Sequence, residues 1–238
     1  LKNARGFDKD EFKKSDFNLK EINVSVWNGL MFINFDKRCN SLESIYEKLE
    51  KRINKRNFSS YQFYKRDSYN ISCNWKIYMD NYLEGLHIPI VHPELNKTIN
   101  YKSYKTETHD QFSLQWCSID PQLNPYKNDS SEDLIAYYVT IFPNVILNIA
   151  PGRLQTNIVE PIDEKNCSVH FDYYFEQIDE KQIQKDLDFS DIIQREDIEI
   201  CESVQASYEA KGFKNGIISK RYESGILHFH SRLKEILL

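Results

Sequence analysis

The chain has 238 residues, with 31 Lys and Arg against 36 Asp and Glu (net charge −5), 40% hydrophobic and 28% charged residues. That balance belongs to an ordinary globular protein long enough to bury one large core. The acidic excess argues against a nucleic-acid partner, and no apolar run reaches the about 20 residues of a membrane span. The five scattered cysteines, Cys39, Cys73, Cys117, Cys167 and Cys201, outline no disulfide framework and point to a reducing, cytoplasmic compartment.

Taken in chain order, residues 19–36 predict two short strands around a turn at Asn28-Gly29. A helix follows from Asn40 to about Ile53, with Asn40-Ser-Leu-Glu43 at capping-box spacing. Tyr61–Tyr69 is strand-like, and a helix is expected over 73–87 with an apolar stripe of Trp75, Tyr78, Tyr82 and Leu86. Five strand-like runs come next, at 102–118, 134–142, 144–150, 153–161 and 166–177, punctuated by Pro143-Asn144 and Pro151-Gly152. Two helices close the chain. One runs from about Ser190 to Lys211 and stops at Gly212, and the other, from about Tyr222, carries the stripe Ile226, Phe229, Leu233, Ile236. Antiparallel strands followed by long helices predict an α+β fold. The boundaries expected are 1–37, a helical connector at 38–58, and one large domain at 59–238.

The chemistry concentrates in Asp80-x3-Glu84-x2-His87-x4-His92. Asp80, Glu84 and His87 stand at i, i+4 and i+7, a spacing that lines one helix face. Pro89 then breaks the helix, because proline lacks the N–H and restricts the residue before it. On an unbroken helix His87 and His92 would point roughly 140° apart; a turn lets them share a metal. The zinc-hydrolase pattern His-Glu-x-x-His is absent, and two His plus one carboxylate is the facial arrangement of non-haem Fe(II) sites. The carboxylate is expected from the helix around Asp191–Gln205, where Asp197 fills a gap in the stripe Ile193, Ile200, Val204. Glu196, with Glu199 on the neighbouring stripe, is the next choice. A carboxylate on a buried stripe needs a partner, because an unpaired buried charge is very costly. Glu84 is positioned to accept the free ring N–H of His87, and Asp80 to help in that network or to act as a helix charge. His109, His170, His228 and His230 read as structural or surface residues, and Cys167-Ser-Val-His170 as chance spacing within a strand.

On the Asp80–His92 motif, Asn74-Trp75-Lys76, Glu196-Asp197…Gln205, Ile141–Asn148 and Tyr222–His230, the chain resembles the α (terminal oxygenase) subunit of Rieske-type non-haem iron oxygenases. Glu84 inside Asn-Tyr-Leu-Glu is similar to the choline, glycine betaine and carnitine monooxygenase branch. The resemblance implies a helix-grip (START/Bet v1-like) catalytic domain holding mononuclear Fe(II) on His87, His92 and Asp197. It further implies a small organic substrate and O2, electrons from a ferredoxin or flavin reductase, and a homotrimer in which Glu84 helps electrons across from a neighbour's cluster. In that branch an N-methyl group is hydroxylated and lost as formaldehyde. The family's Rieske [2Fe–2S] cluster needs two Cys and two His. This chain has no Cys-x-His, so its cluster ligands are absent; residues 1–37, from Asn3-Ala-Arg-Gly-Phe7 to Phe35, resemble the last strands of a Rieske domain. An N-terminally incomplete α subunit is the expectation. The alternatives are an aromatic-ring cis-dihydroxylating dioxygenase and a non-catalytic helix-grip ligand-binding protein. Some of the abundant aromatics could box a trimethylammonium group.

Overall fold

The computed structural model describes residues 5–7, 13–53, 56–120, 134–211 and 216–238. It forms two compact units, Leu1–Ser59 and Ser60–Leu238. In the first, strands β1 (Asn23–Trp27) and β2 (Leu30–Asn34) make a hairpin. Its two turn residues, Asn28 and Gly29, both take positive φ, 49° and 84°, as a tight two-residue hairpin turn requires. Helix α1 (Leu42–Arg52) follows. The Trp27 ring stacks on Tyr46 at 4.8 Å, and its indole N–H donates to Glu50 at 2.8 Å. The expected capping box does not form: the helix starts one residue later, and its N-cap Ser41 makes no side-chain cap bond.

The second unit is built on a seven-stranded antiparallel sheet in the order β3-β9-β8-β7-β6-β5-β4. Its strands are β3 (Gln62–Ile71), β4 (Lys105–Thr108), β5 (Phe112–Ser118), β6 (Ile135–Ile141), β7 (Val145–Ala150), β8 (Arg153–Pro161) and β9 (Cys167–Phe175). The run expected as one strand over 102–118 is a hairpin, because the chain reverses where the His109 N–H donates to the Phe112 carbonyl. Helices α2 (Trp75–Tyr82), α5 (Glu180–Glu209) and α6 (Ser224–Leu237) complete the core, and two short turns, α3 (Ile88–Val91) and α4 (Pro93–Thr98), lie between α2 and the sheet strands that follow. Tyr78, Met79 and Leu83 at α2, Ile183, Leu187 and Cys201 of α5 and Phe229 of α6 bury against β9 side chains such as Phe171 and Tyr173. Each large side chain so buried contributes roughly 1.5–3 kcal/mol. This α+β helix-grip architecture is the one expected.

Several element ends differ from expectation for local reasons. Helix α5 begins ten residues early because Asp179 caps it, accepting from the N–H groups of Lys181 and Gln182. Its other end comes at Glu209, with Lys211 at φ 54°; Gly212, the expected cap, lies outside the described residues. At α6 the stripe holds for Ile226 and Phe229, with Leu233 packed at its edge, whereas Ile236 is exposed. Among the described residues no helix is long and apolar enough to cross a membrane.

Candidate metal centre and cavity

Helix α2 ends at Tyr82, not at residue 87, so Asp80, Glu84 and His87 do not share one helix face. Glu84 causes the break: its carboxylate accepts from the backbone N–H groups of Leu86 and His87, closing a tight bend in place of another helical turn. Gly85 permits that bend, since a Cβ there would lie 2.6 Å from the Tyr104 ring. Leu86 consequently leaves the apolar stripe and is exposed. Pro89 starts the short α3 and does not terminate α2, in keeping with proline's fit at the first turn of a helix. The outcome is the one the spacing called for, with the turn before His87 instead of after it. The two imidazoles lie 5.0 Å apart at 77° to each other.

Helix α5 brings the carboxylate. It runs antiparallel to α2, pinned where Gln205 Oε1 accepts from the Asn74 N–H at 3.0 Å and Glu202 accepts from the Ser72 N–H at 2.9 Å. That register sets Asp197 beside Asn81, whose amide donates to Asp197 Oδ1 at 2.6 Å. Asp197 Oδ1 then lies 3.0 Å from His92 Nε2 and 3.7 Å from His87 Nε2. One donor atom from each of His87, His92 and Asp197 falls within 4.8 Å of the others. Metal–ligand bonds of about 2.1 Å at right angles put donor atoms about 3 Å apart, so this spacing fits one facial metal site.

The remaining ring nitrogens are also held. Glu84 Oε1 pairs with His87 Nδ1, and Glu196 Oε2 with His92 Nδ1 at 2.7 Å. Glu196 is thus His92's partner and not a donor at the cluster. Carboxylates on the outer nitrogens orient both rings so that each Nε2 faces the cluster, the usual support of a metal-ligating His. His92 is buried. Burial works to lower its pKa, but the hydrogen bonds to Asp197 and Glu196 outweigh it and the pKa is raised. Asp80 does not join this network: it accepts from His230 Nε2 at 2.9 Å. His109 and His170 pair with Glu107 and Glu160 on the strands. Cys167 and His170 stand three apart on β9 and so on opposite faces; Cys167 is buried against Cys73 at 4.0 Å.

The cluster opens on a cavity of about 180 Å³ between the sheet and α5. Tyr82, Tyr104 and Tyr138 form one wall, with Phe171 and Phe189 also lining it. Burial raises the three tyrosine hydroxyls well above the usual phenol range, so their rings stay neutral. Tyr82 and Tyr104 donate to Asn148 at 2.8 Å and Gln115 at 3.0 Å. Strand β8 adds Arg153, Gln155 and Asn157 at alternate positions. Sequence reasoning missed this polar row: alternating polar residues read as a solvent face, whereas here they face a cavity and Leu154 behind them is buried too.

A seven-stranded antiparallel sheet gripping a long helix, with a cavity and a two-His, one-carboxylate cluster between them, defines a helix-grip catalytic domain. The chain belongs to the ring-hydroxylating α-subunit family: the model of that family's catalytic domain matches residues 58–238. It is 34% identical to the chloroplastic choline monooxygenase of Arabidopsis thaliana over 177 residues, covering 71% of this chain and 40% of that one. It is 27% identical to the carnitine monooxygenase oxygenase subunit of Escherichia coli strain K12, covering 98% and 65%. Among solved structures, the quaternary ammonium Rieske monooxygenase CntA in complex with an inhibitor superposes with a TM-score of 0.77 at 23% identity, over 95% of this chain and 64% of that one. Naphthalene 1,2-dioxygenase from Rhodococcus sp. gives 0.68 at 17%, over 96% and 69%. These likenesses carry the fold. The chain spans about half the length of the curated choline monooxygenases it matches, 40–53% of them.

Proposed function

We propose that the chain is the catalytic part of a Rieske-type terminal oxygenase that holds one Fe(II) on His87, His92 and Asp197 and oxidises a quaternary ammonium compound. The observation that carries this is the donor cluster itself: three ligand-type atoms within 4.8 Å, each imidazole braced from behind by a carboxylate, at the wall of a cavity. Iron bound there would supply the activation of O2 for insertion into a C–H bond.

The chain's own residues do the rest. Glu84 and Glu196 hold the Nδ1 protons and keep Nε2 free to ligate. Asn81 fixes the Asp197 carboxylate by donating to Oδ1. The neutral faces of Tyr82, Tyr104 and Tyr138 exclude water and attract a trimethylammonium cation. Arg153, Gln155, Asn157 and Gln194 on the cavity lining are polar partners that an arene substrate would leave unused. The braced donor cluster likewise weighs against a binding protein without chemistry. In this reading electrons come from a ferredoxin or flavin reductase through a Rieske [2Fe–2S] cluster whose ligands this chain lacks. Residues 1–37 correspond to the last strands of a Rieske domain, and Glu84 stands on the electron route in a homotrimer.

The test is iron content after anaerobic reconstitution. The wild type should hold one Fe(II) per chain, and His87→Ala, His92→Ala and Asp197→Ala should each lose it. Wild-type iron content in any of the three variants would overturn the assignment.

A further inference from the structure

We infer that Gln115, a side chain of β5, is a positioning residue of the metal centre: it fixes where α2 ends and thereby where His87 falls. This rests on the metal reading above and adds the group that sets its ligand-bearing turn. A helix running on past Tyr82 would bond the Tyr82 carbonyl to the Leu86 N–H, four residues later. Here that bond is broken, and each half has a side-chain partner. The Leu86 N–H donates to the Glu84 carboxylate. The Tyr82 carbonyl accepts from Gln115 Nε2 at 2.8 Å, a partner 33 residues away in sequence. Gln115 stands on a strand held on both sides, opposite Thr106 of β4 and Tyr138 of β6. The sheet thus caps one of the carbonyls that a helix end leaves without a partner.

Gln115 is 1% exposed, and both ends of its amide are used. A carbonyl can only accept, so the atom facing Tyr82 is the nitrogen; Oε1 takes the Tyr104 hydroxyl at 3.0 Å. The Tyr104 ring, so held, closes on Gly85. A Cβ there would meet Cε1 at 2.6 Å and Cζ, the carbon that bears the hydroxyl, at 2.8 Å. One amide therefore fixes both sides of the bend: the last helical residue before it and the ring packed against its middle. Two residues after Gly85 comes His87, with Nδ1 on Glu84 and Nε2 3.7 Å from Asp197 Oδ1. Without Gln115 the Tyr82 carbonyl is an acceptor in need of a donor, and buried polar groups are rarely left unpaired. The donor within reach of the backbone is the Leu86 N–H. Taking it from Glu84 winds the helix on and undoes the turn that carries His87.

The experiment is anaerobic titration of the full chain with Fe(II) and, separately, with Co(II), whose visible absorption reports the arrangement of its ligands. Two variants stand beside the wild type. Gln115→Met keeps the volume and loses both hydrogen bonds. Gln115→Asn keeps the amide but is one methylene too short to span Tyr82 and Tyr104. Each should bind metal about tenfold more weakly, the lower end of the range for groups that orient a ligand, and should shift the Co(II) absorption. A residue that serves only the fold would lower the melting temperature and leave the affinity and spectrum of the folded protein unchanged; that result overturns the inference. If Gln115→Met does not fold, Gln115→Asn decides by the same two readouts. A wild type that binds neither metal overturns the metal reading and the positioning role with it. Wild-type binding that both variants match overturns the positioning role alone.

Discussion

Glu196→Ala tests the proposed division between a metal ligand and the group that orients it. The substitution removes the acceptor 2.7 Å from His92 Nδ1 and leaves Asp197, 3.0 Å from His92 Nε2, in place. Loss of such a partner lowers metal affinity about 10–100-fold, or about 1.4–2.7 kcal/mol. The Glu196 side chain is 29% exposed, so water can take over part of its role. The expected loss therefore lies near the lower end, about tenfold or 1.4 kcal/mol. Asp197→Ala removes a donor atom and should abolish stoichiometric binding. Glu199→Ala, exposed on the same helix, should change nothing. Anaerobic Fe(II) titration against a chromophoric chelator reads all three. An unchanged affinity in Glu196→Ala would refute the bracing role, and a loss as complete as that of Asp197→Ala would make Glu196 a ligand.

Two glycines and one histidine give further tests. Gly85→Ala drives a Cβ to 2.6 Å from the Tyr104 ring and should cost about 1–3 kcal/mol, lowering the melting temperature by several degrees and weakening iron binding; an unchanged melt would contradict the bend geometry. Gly225→Ala meets the Leu83 carbonyl oxygen at 2.4 Å, and backbone yields less than a ring, so its melting temperature should fall further than that of Gly85→Ala. The hydrogen bond to Asp80 raises the His230 pKa against the opposing effect of burial. A raised folded pKa stabilises fully below the unfolded value of about 6.5 and ceases to do so as pH rises through the folded one. Urea midpoints of the wild type and Asp80→Asn should thus differ more at pH 5.5 than at pH 8.5; equal differences at both would count against the pair.

Much of the centre was legible because its spacing is local. Two imidazoles and an acid within nine residues, next to a proline, announced both a bend and a candidate ligand set. Asp197 was legible from a gap in an apolar stripe, since periodicity shows where a polar residue has been admitted to a buried face. The same reasoning placed Glu84 behind His87. It misplaced Asp80, whose partner His230 is 150 residues away on another helix, a pairing no local pattern encodes. The early start of α5 had a readable signal in Asp179-x-x-Gln182, a cap followed by the expected third residue, that the apolar stripe alone did not include.

By itself, then, the sequence determined most of the elements, the fold class and the chemical types gathered at the centre, because helix and strand periods and turn residues act over a few positions. Only tertiary structure decided which nitrogen each carboxylate holds and where the bend falls. It also decided that Arg153, Gln155 and Asn157 face a cavity and not solvent. Those outcomes depend on the antiparallel register of α2 on α5 and of β8 between β7 and β9. A strand's alternation says that its two faces differ, while the layer packed against each face says what they differ for.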